Sequence, residues 1–125
     1  MDEGLGLAEA IFEGRVTDAE ISEAIDAYLA PGYAELPLGL FDFGGVSEAE
    51  VTTEVIRRAA ARIAEVVDPG LKHGKLAIVA VRDELFGLAR MYQILRDRSP
   101  VEVKVFGRRR DALRWLGLPL GNGPT

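Results

Sequence analysis

A chain of 125 residues, 48% hydrophobic and 28% charged, has the size and composition of one globular domain with a sizeable core. It contains no cysteine, which excludes disulfides, thiolate metal ligands and a cysteine nucleophile. Met1–Glu3 is too acidic for a signal peptide, and no apolar run approaches the roughly 18 residues of a membrane-spanning helix. We therefore predict one cytoplasmic domain over residues 1–125, with loose termini at 1–4 and 119–125.

The net charge of −5 hides a strong asymmetry along the chain. Residues 1–56 carry 13 acidic residues and one basic residue, Arg15, for a net charge of −12. Residues 57–125 carry 7 acidic and 14 basic residues, for a net charge of +7. Such a split can mark an interaction surface. The alternative is that oppositely charged faces meet inside one folded domain.

The first half of the chain predicts two strands and two helices. Leu7–Glu13 is favoured as a strand that ends at Gly14. Thr17 and Glu20 form a capping box, which opens a helix that Pro31-Gly32 stops. The remaining predicted elements are a second strand over Leu36–Phe43, a turn at Gly44-Gly45, and a helix capped by Ser47 or Thr52 that runs to about Val67.

The second half predicts the same alternation. Lys75–Val81 is almost entirely apolar, which is typical of a strand covered on both faces. Residues 83–97 form the third helix, in which Gly87 is interpreted mainly as a point of close packing. Val101–Phe106 alternates apolar and charged residues, which favours an edge strand, and Arg109–Leu116 is a short helix closed by Gly117. This β-α alternation predicts an α/β fold with a small, mostly parallel sheet of about four strands flanked by four helices.

Several blocks of residues, in order and spacing, resemble a known family. They are Gly14–Thr17, Leu40–Asp42, Ala77–Ala80, Phe86–Tyr92, and Val103–Phe106 followed by Ala112–Leu116. Together they resemble the SpoIIAA-like family of STAS-related bacterial proteins, from about Gly14 to Leu118. The resemblance implies a STAS-like α/β domain that acts as a binding module, as anti-anti-sigma factors do. The fold is also related to lipid-carrying Sec14-type domains, and we expect this chain to be too short to enclose a lipid chain as they do.

The phosphorylation motif of STAS domains is not matched here. The family places Asp-Ser-Ser-Gly at the start of a helix, and Glu48-Ala49 stands where the hydroxyl groups are expected. Ser47 and Thr52 are the nearest candidate phosphoacceptors.

Catalysis, metal binding and cofactor binding lack the residues they need. The single histidine, His73, lies in a Gly/Lys loop and is predicted to face solvent, so no serine triad is predicted. One histidine and no cysteine leave only carboxylates as metal ligands. Pro69 precedes Gly74-Lys75 where a phosphate-binding loop needs glycine, and no cofactor is predicted.

Arg108-Arg109-Arg110 places three cations at a helix start, where the helix dipole favours anions. A bound small anion would relieve this conflict and use the free N–H groups. The alternative is a solvated basic turn. Nucleic acid is not predicted, because the pI is about 4.9 and no aromatic residues are interleaved.

We predict a non-enzymatic, regulatory protein-binding module, with a protein partner or a second copy of the chain as its target. The predicted contact residues are Glu20, Glu23 and Asp26 on the acidic helix, and Arg109 and Arg110 on the basic one. The alternative is a small anionic ligand or lipid headgroup bound at the carboxyl ends of the strands, where α/β folds usually hold ligands. The residues predicted for that site are Asp42, Phe43, Arg82 and Arg108, and an ion pair of Arg82 with Asp42 is the structural alternative.

Overall fold

Four strands and four helices alternate along the chain in a computed structural model that describes residues 6–30, 37–70 and 74–120. The strands are β1 Leu7–Thr17, β2 Leu38–Glu50, β3 Gly74–Val79 and β4 Val101–Phe106. The helices are α1 Asp18–Tyr28, α2 Thr53–Val66, α3 Asp83–Leu95 and α4 Arg109–Leu116, with a 3₁₀ turn at Asp68–Gly70. The predicted α/β fold is confirmed. His73 lies outside the described residues.

The sheet is entirely parallel, and its strands lie in sequence order, β1-β2-β3-β4. Crossover connections between parallel strands are nearly always right-handed, so a sheet wound steadily in one direction carries its connecting helices on the same face. The cores agree with this rule: α1, α2 and α3 share one large apolar cluster, whereas α4 belongs to a smaller cluster on the other face. Among the described helices, three therefore cover one face and α4 covers the second.

Alternating side chains along the strands supply the two cores. On β2, Leu40 is fully buried toward α4, and its neighbour Phe41 is buried toward α1–α3. β3 is buried from Leu76 to Val79, as its apolar run predicts. β4 lies at the edge of the sheet, with Val101 and Val103 buried and the charged residues between them exposed, which confirms the predicted edge strand.

Strands β1 and β2 both extend past their predicted carboxyl ends, whereas the predicted start of β2 at Leu36 lies outside the described residues. Gly14 does not end β1, and Gly44-Gly45 is not a turn but part of β2, so both predictions were wrong. The two strands pair as far as Thr17 and Glu50, with register shifts between Ile11 and Glu13 and between Gly14 and Arg15. Gly14 has φ +68° at the second shift, a conformation that costs glycine little. β3 pairs with β2 only as far as Asp42, so the far ends of β1 and β2 form a two-stranded ribbon.

Threonine hydroxyls begin the first two helices. Thr17 Oγ1 accepts a hydrogen bond from Glu20 N at 3.4 Å, which confirms the predicted cap. Thr52, not Ser47, caps α2, accepting from Val55 N at 3.3 Å, because Ser47 still belongs to β2. Asp18 accepts from the backbone N–H and the hydroxyl of Thr52 at 2.8 and 2.7 Å, so the starts of α1 and α2 are tied together.

Candidate functional site at the carboxyl ends of the strands

Next to the start of α4, the described residues leave an open depression of about 530 Å³ on the second face of the sheet. Ile11 and Glu13 line it from β1, where alternate residues lie on the same face of the strand. Asp42 reaches it from β2, and Val81 from the segment after β3. The start of α4 contributes Arg108 and Arg109, so the depression combines exposed apolar groups with charges of both signs.

Arg109 joins the two strands that form the floor of the depression. Its Nη1 lies 3.0 Å from Asp42 Oδ2, and its Nη2 lies 2.5 Å from Glu9 Oε2. Burial acts to lower the pKa of Arg109, but its contacts with the Asp42 and Glu9 carboxylates outweigh that effect and raise the pKa. Arg109 is thus a permanent cation that two carboxylates of its own chain already engage.

Gly44 and Gly45 of β2 make room for the acidic side chains. Asp42 Oδ1 folds back to accept from Gly44 N at 2.8 Å. A Cβ added to Gly44 would lie 3.0 Å from that oxygen, and one added to Gly45 would lie 3.1 Å from Glu13 Cγ. Close approach of the carboxylates, not a chain reversal, accounts for glycine at both positions.

The four residues predicted to bind an anionic ligand do not meet in one site. Asp42 and Arg108 line the depression, but Phe43 points to the opposite face, where its ring stacks on that of Phe12 with centroids 4.3 Å apart. Adjacent residues of a strand face opposite sides, which separates Phe43 from Asp42. Arg82 pairs with Glu84 at 2.6 Å rather than with Asp42, and its hydrogen bond lowers the pKa of the Glu84 carboxyl.

All five residues predicted to contact a partner are exposed, and two of them also form ion pairs within the chain. Asp26 forms an ion pair with Arg62 of α2, and Arg109 is held by Glu9 and Asp42. Glu20, Glu23 and Arg110 are exposed. Part of the charge asymmetry is therefore satisfied within the chain, as the simpler interpretation of the split expected.

The two candidate phosphoacceptors differ in their surroundings. Ser47 is exposed on the ribbon formed by β1 and β2. Thr52 is also exposed, but its hydroxyl donates to Asp18 Oδ2 at 2.7 Å while it caps α2. A phosphate on Thr52 would remove the hydroxyl proton that makes this hydrogen bond and would place the negatively charged phosphate against the Asp18 carboxylate.

A second cavity, which no sequence pattern predicted, lies on the helix-covered face. It is an apolar crevice of about 60 Å³ between the sheet and α1–α3, lined by side chains that include Phe41, Phe43, Ile56, Ala59, Leu88 and Ala89. Tyr92 also lines it. The Tyr92 hydroxyl is buried without a hydrogen-bond partner among the described residues, and burial raises its pKa.

A buried polar cluster at the amino end of the sheet was also missed. Arg96 is only 5% exposed and donates to both Asp68 oxygens and to Ser99 Oγ. Ser99 Oγ in turn accepts from Val101 N at 2.9 Å, where β4 begins. These residues link the turn after α2, the end of α3 and the start of β4, so we interpret the cluster as structural.

Within residues 6–30, 37–70 and 74–120, no group of three or more acidic or histidine side chains is placed to hold a metal ion. Over the same ranges, no helix has both the length and the apolar character needed to cross a membrane.

The parallel four-stranded sheet and its four helices define a SpoIIAA-like α/β fold. A solved structure with this fold, an uncharacterised protein of the DUF3478 family from Shewanella loihica PV-4, matches the chain with a TM-score of 0.51. The match covers 86% of this chain and 82% of that one at 18% sequence identity, so the similarity is one of fold. No family profile matches the sequence, and no curated protein matches it.

Proposed function

We propose that the protein is a non-enzymatic, STAS-like module that binds a regulatory protein partner at the open depression. The observation that carries this proposal is the exposure of two large apolar side chains in one concave surface. Ile11 is 58% exposed and Val81 is 60% exposed, and both line the depression. Apolar groups surrounded by charged ones are typical of protein contact surfaces.

The charges of the depression favour a protein over a small anion. Glu13 and Asp42 line it together with Arg108 and Arg109, and Glu9 lies beside them. Arg109 already has two carboxylate partners, and Arg108, whose side chain is 75% exposed, lies 3.3 Å from Asp111. An anion would compete with these carboxylates, whereas a protein surface can offer a matching pattern of both signs.

Co-purification with matched variants tests the proposal. Ile11→Asp and Val81→Asp place a charge on the depression, and Val66→Asp is the control because Val66 is 49% exposed on α2, outside the depression. We expect one protein to be retained by the native chain and by Val66→Asp and to be lost with both depression variants. Calorimetry with that purified partner should show the same order of affinities. Equal retention by all four proteins would contradict the proposal.

A second candidate function is the binding of a small apolar molecule in the crevice. Protein cores are packed closely enough that voids larger than a water molecule are rare, and apolar cavities stay dry and accept apolar ligands. A crevice of about 60 Å³ suits a short hydrocarbon group rather than a lipid chain. This candidate uses the opposite face of the sheet from the depression.

Neighbouring alanines on α2 give the test of this candidate. Ala59 lines the crevice, whereas Ala60 is equally buried but does not. Ala59→Val should fill the space and abolish thermal stabilisation by added short-chain alcohols. Ala60→Val should keep that stabilisation while lowering Tm through overpacking. The same response in both variants, or no response from the native protein, would reject the candidate.

A further inference from the structure

Gly87 occupies an exposed position in the middle of α3 that no contact within the described chain explains. A Cβ built there would have no neighbour within 4 Å, so the predicted role in close packing was wrong. Glycine weakens a helix interior, and nothing in the described residues compensates for it. What it provides is a bare strip of helix that another backbone can approach closely.

The residues around this strip share one face of the helix. Asp83 and Arg90 lie four residues before and three residues after Gly87, and Ile94 lies seven after it. Ile94 is 69% exposed, and Phe86, at the edge of the strip, is 36% exposed. Asp83 and Arg90 are exposed, and neither forms an ion pair with a residue that the structure describes.

We propose that a second copy of the chain docks on this strip, with two α3 helices packed antiparallel across a two-fold axis at Gly87. Reversing one helix brings Asp83 of each copy opposite Arg90 of the other, because both residues lie on the same side of the line through Gly87. The contact thus contains two equivalent Asp83–Arg90 ion pairs, one on each side of the two-fold axis, as an isologous contact requires. The two glycines face each other at the crossing, and Ile94 and Phe86 supply apolar area around it.

This surface belongs to the helix-covered side of the molecule and is separate from the open depression. The proposal therefore does not rest on the proposed function. Ile11→Asp and Val81→Asp, which test that function, should leave the association of two copies unchanged.

The absence of cysteine allows a direct test by crosslinking. Gly87→Cys introduces a single thiol at the proposed two-fold axis, and Arg57→Cys introduces one at an exposed position of α2 as a matched control. Under mild oxidation we expect Gly87→Cys to form a disulfide-linked dimer at least tenfold faster than Arg57→Cys. Equal rates would overturn the proposal.

Charge reversal supplies the second arm of the test. Light scattering over a range of protein concentrations should show a native dimer that dissociates upon dilution. Asp83→Arg and Arg90→Asp should each weaken association at least tenfold, and the double variant should recover most of the native affinity. A native chain that stays monomeric at every concentration, or a double variant weaker than both single ones, would overturn the proposal.

Discussion

The Arg96 guanidinium and the Asp68 carboxylate meet through two parallel hydrogen bonds at the amino end of the sheet. Nη1 lies 2.9 Å from Oδ2 and Nη2 lies 2.5 Å from Oδ1, and only 4% of the Arg96 side chain is exposed. Burial acts to lower the pKa of Arg96, but the Asp68 carboxylate and the neighbouring Tyr92 outweigh it and raise the pKa. The arginine therefore stays charged at a position where water cannot replace its partner.

Asp68→Asn should be among the most destabilising single substitutions in the chain. It leaves a buried guanidinium without a counter-charge, which costs roughly 3 kcal/mol of unfolding free energy. In a domain of this size the loss corresponds to a fall in Tm of about 10 °C. Asp97→Asn removes an exposed carboxylate close by and serves as the control, with an expected change within about 0.5 kcal/mol. Equal effects of the two substitutions in urea unfolding would contradict the structural role of the pair.

Tyr92 should make the protein lose stability at alkaline pH. Burial raises its pKa in the folded state, and the Arg96 charge opposes that rise only in part. The unfolded chain releases the phenol proton above about pH 10, while the folded chain retains it. The stability that Tyr92 contributes is thus fully present below about pH 10 and is lost as the pH rises toward the folded-state pKa.

Tyr92→Phe should flatten this dependence and cost little near neutral pH, because the hydroxyl has no hydrogen-bond partner among the described residues. Urea unfolding between about pH 7 and pH 11 measures both effects. Some alkaline sensitivity should remain from Tyr28, whose pKa is also raised by burial. A slope unchanged by the substitution would show that Tyr92 titrates equally in both states.

Gly87→Ala should stabilise the monomeric fold. The added methyl group meets open space, and alanine is favoured over glycine in a helix interior by about 0.5–1 kcal/mol. The measurement is chemical unfolding at high dilution, where association does not contribute. Gly117→Ala is the contrasting variant, because Gly117 has φ +75° at the end of α4 and should lose about 1 kcal/mol. A destabilised Gly87→Ala monomer would mean that the glycine has a role within the fold.

Arg109→Met should loosen the contact between α4 and the sheet. The substitution keeps an apolar stem but leaves the Glu9 and Asp42 carboxylates without their shared cation. The expected loss is about 1–2 kcal/mol, held down by the partial exposure of the arginine. Arg110→Met is the matched control at the next position, which is exposed and has no ion pair with a described residue, and it should change stability by less than about 0.5 kcal/mol. Identical melting curves for the two variants would show that the bridge contributes nothing.

The alternation of strands and helices could be predicted because its signals are local. The Thr17 cap follows from residues three positions apart in the sequence. The edge character of β4 follows from the alternation of apolar and charged residues within the strand itself. The ends of β1 and β2 could not be predicted in this way. Glycine commonly marks a turn, but Gly14, Gly44 and Gly45 lie inside strands because pairing between β1 and β2 continues past them.

The candidate site could be predicted only in part. The rule that ligands meet α/β sheets at the carboxyl ends of the strands led to the prediction of Asp42 and Arg108, and both line the depression. Side chains alternate between the two faces of a strand, so Phe41 and Phe43 lie on the face opposite to Asp42. This alternation could have excluded Phe43 from the predicted ligand site. The bridge from Arg109 to Asp42 spans 67 residues of sequence and forms only once α4 lies against β2, so no local pattern reveals it.

Coverage of the second sheet face by α4, the last described helix, has a consequence for synthesis. A nascent chain that has emerged as far as Phe106 possesses the four described strands and α1–α3, but it still lacks α4, which packs on Leu40, Ala77 and Val79. Domains that expose apolar sheet surface at this stage are prone to aggregation and are substrates for chaperones. We therefore expect folding to be completed only when residues 109–116 pack on this face and bury its apolar side chains.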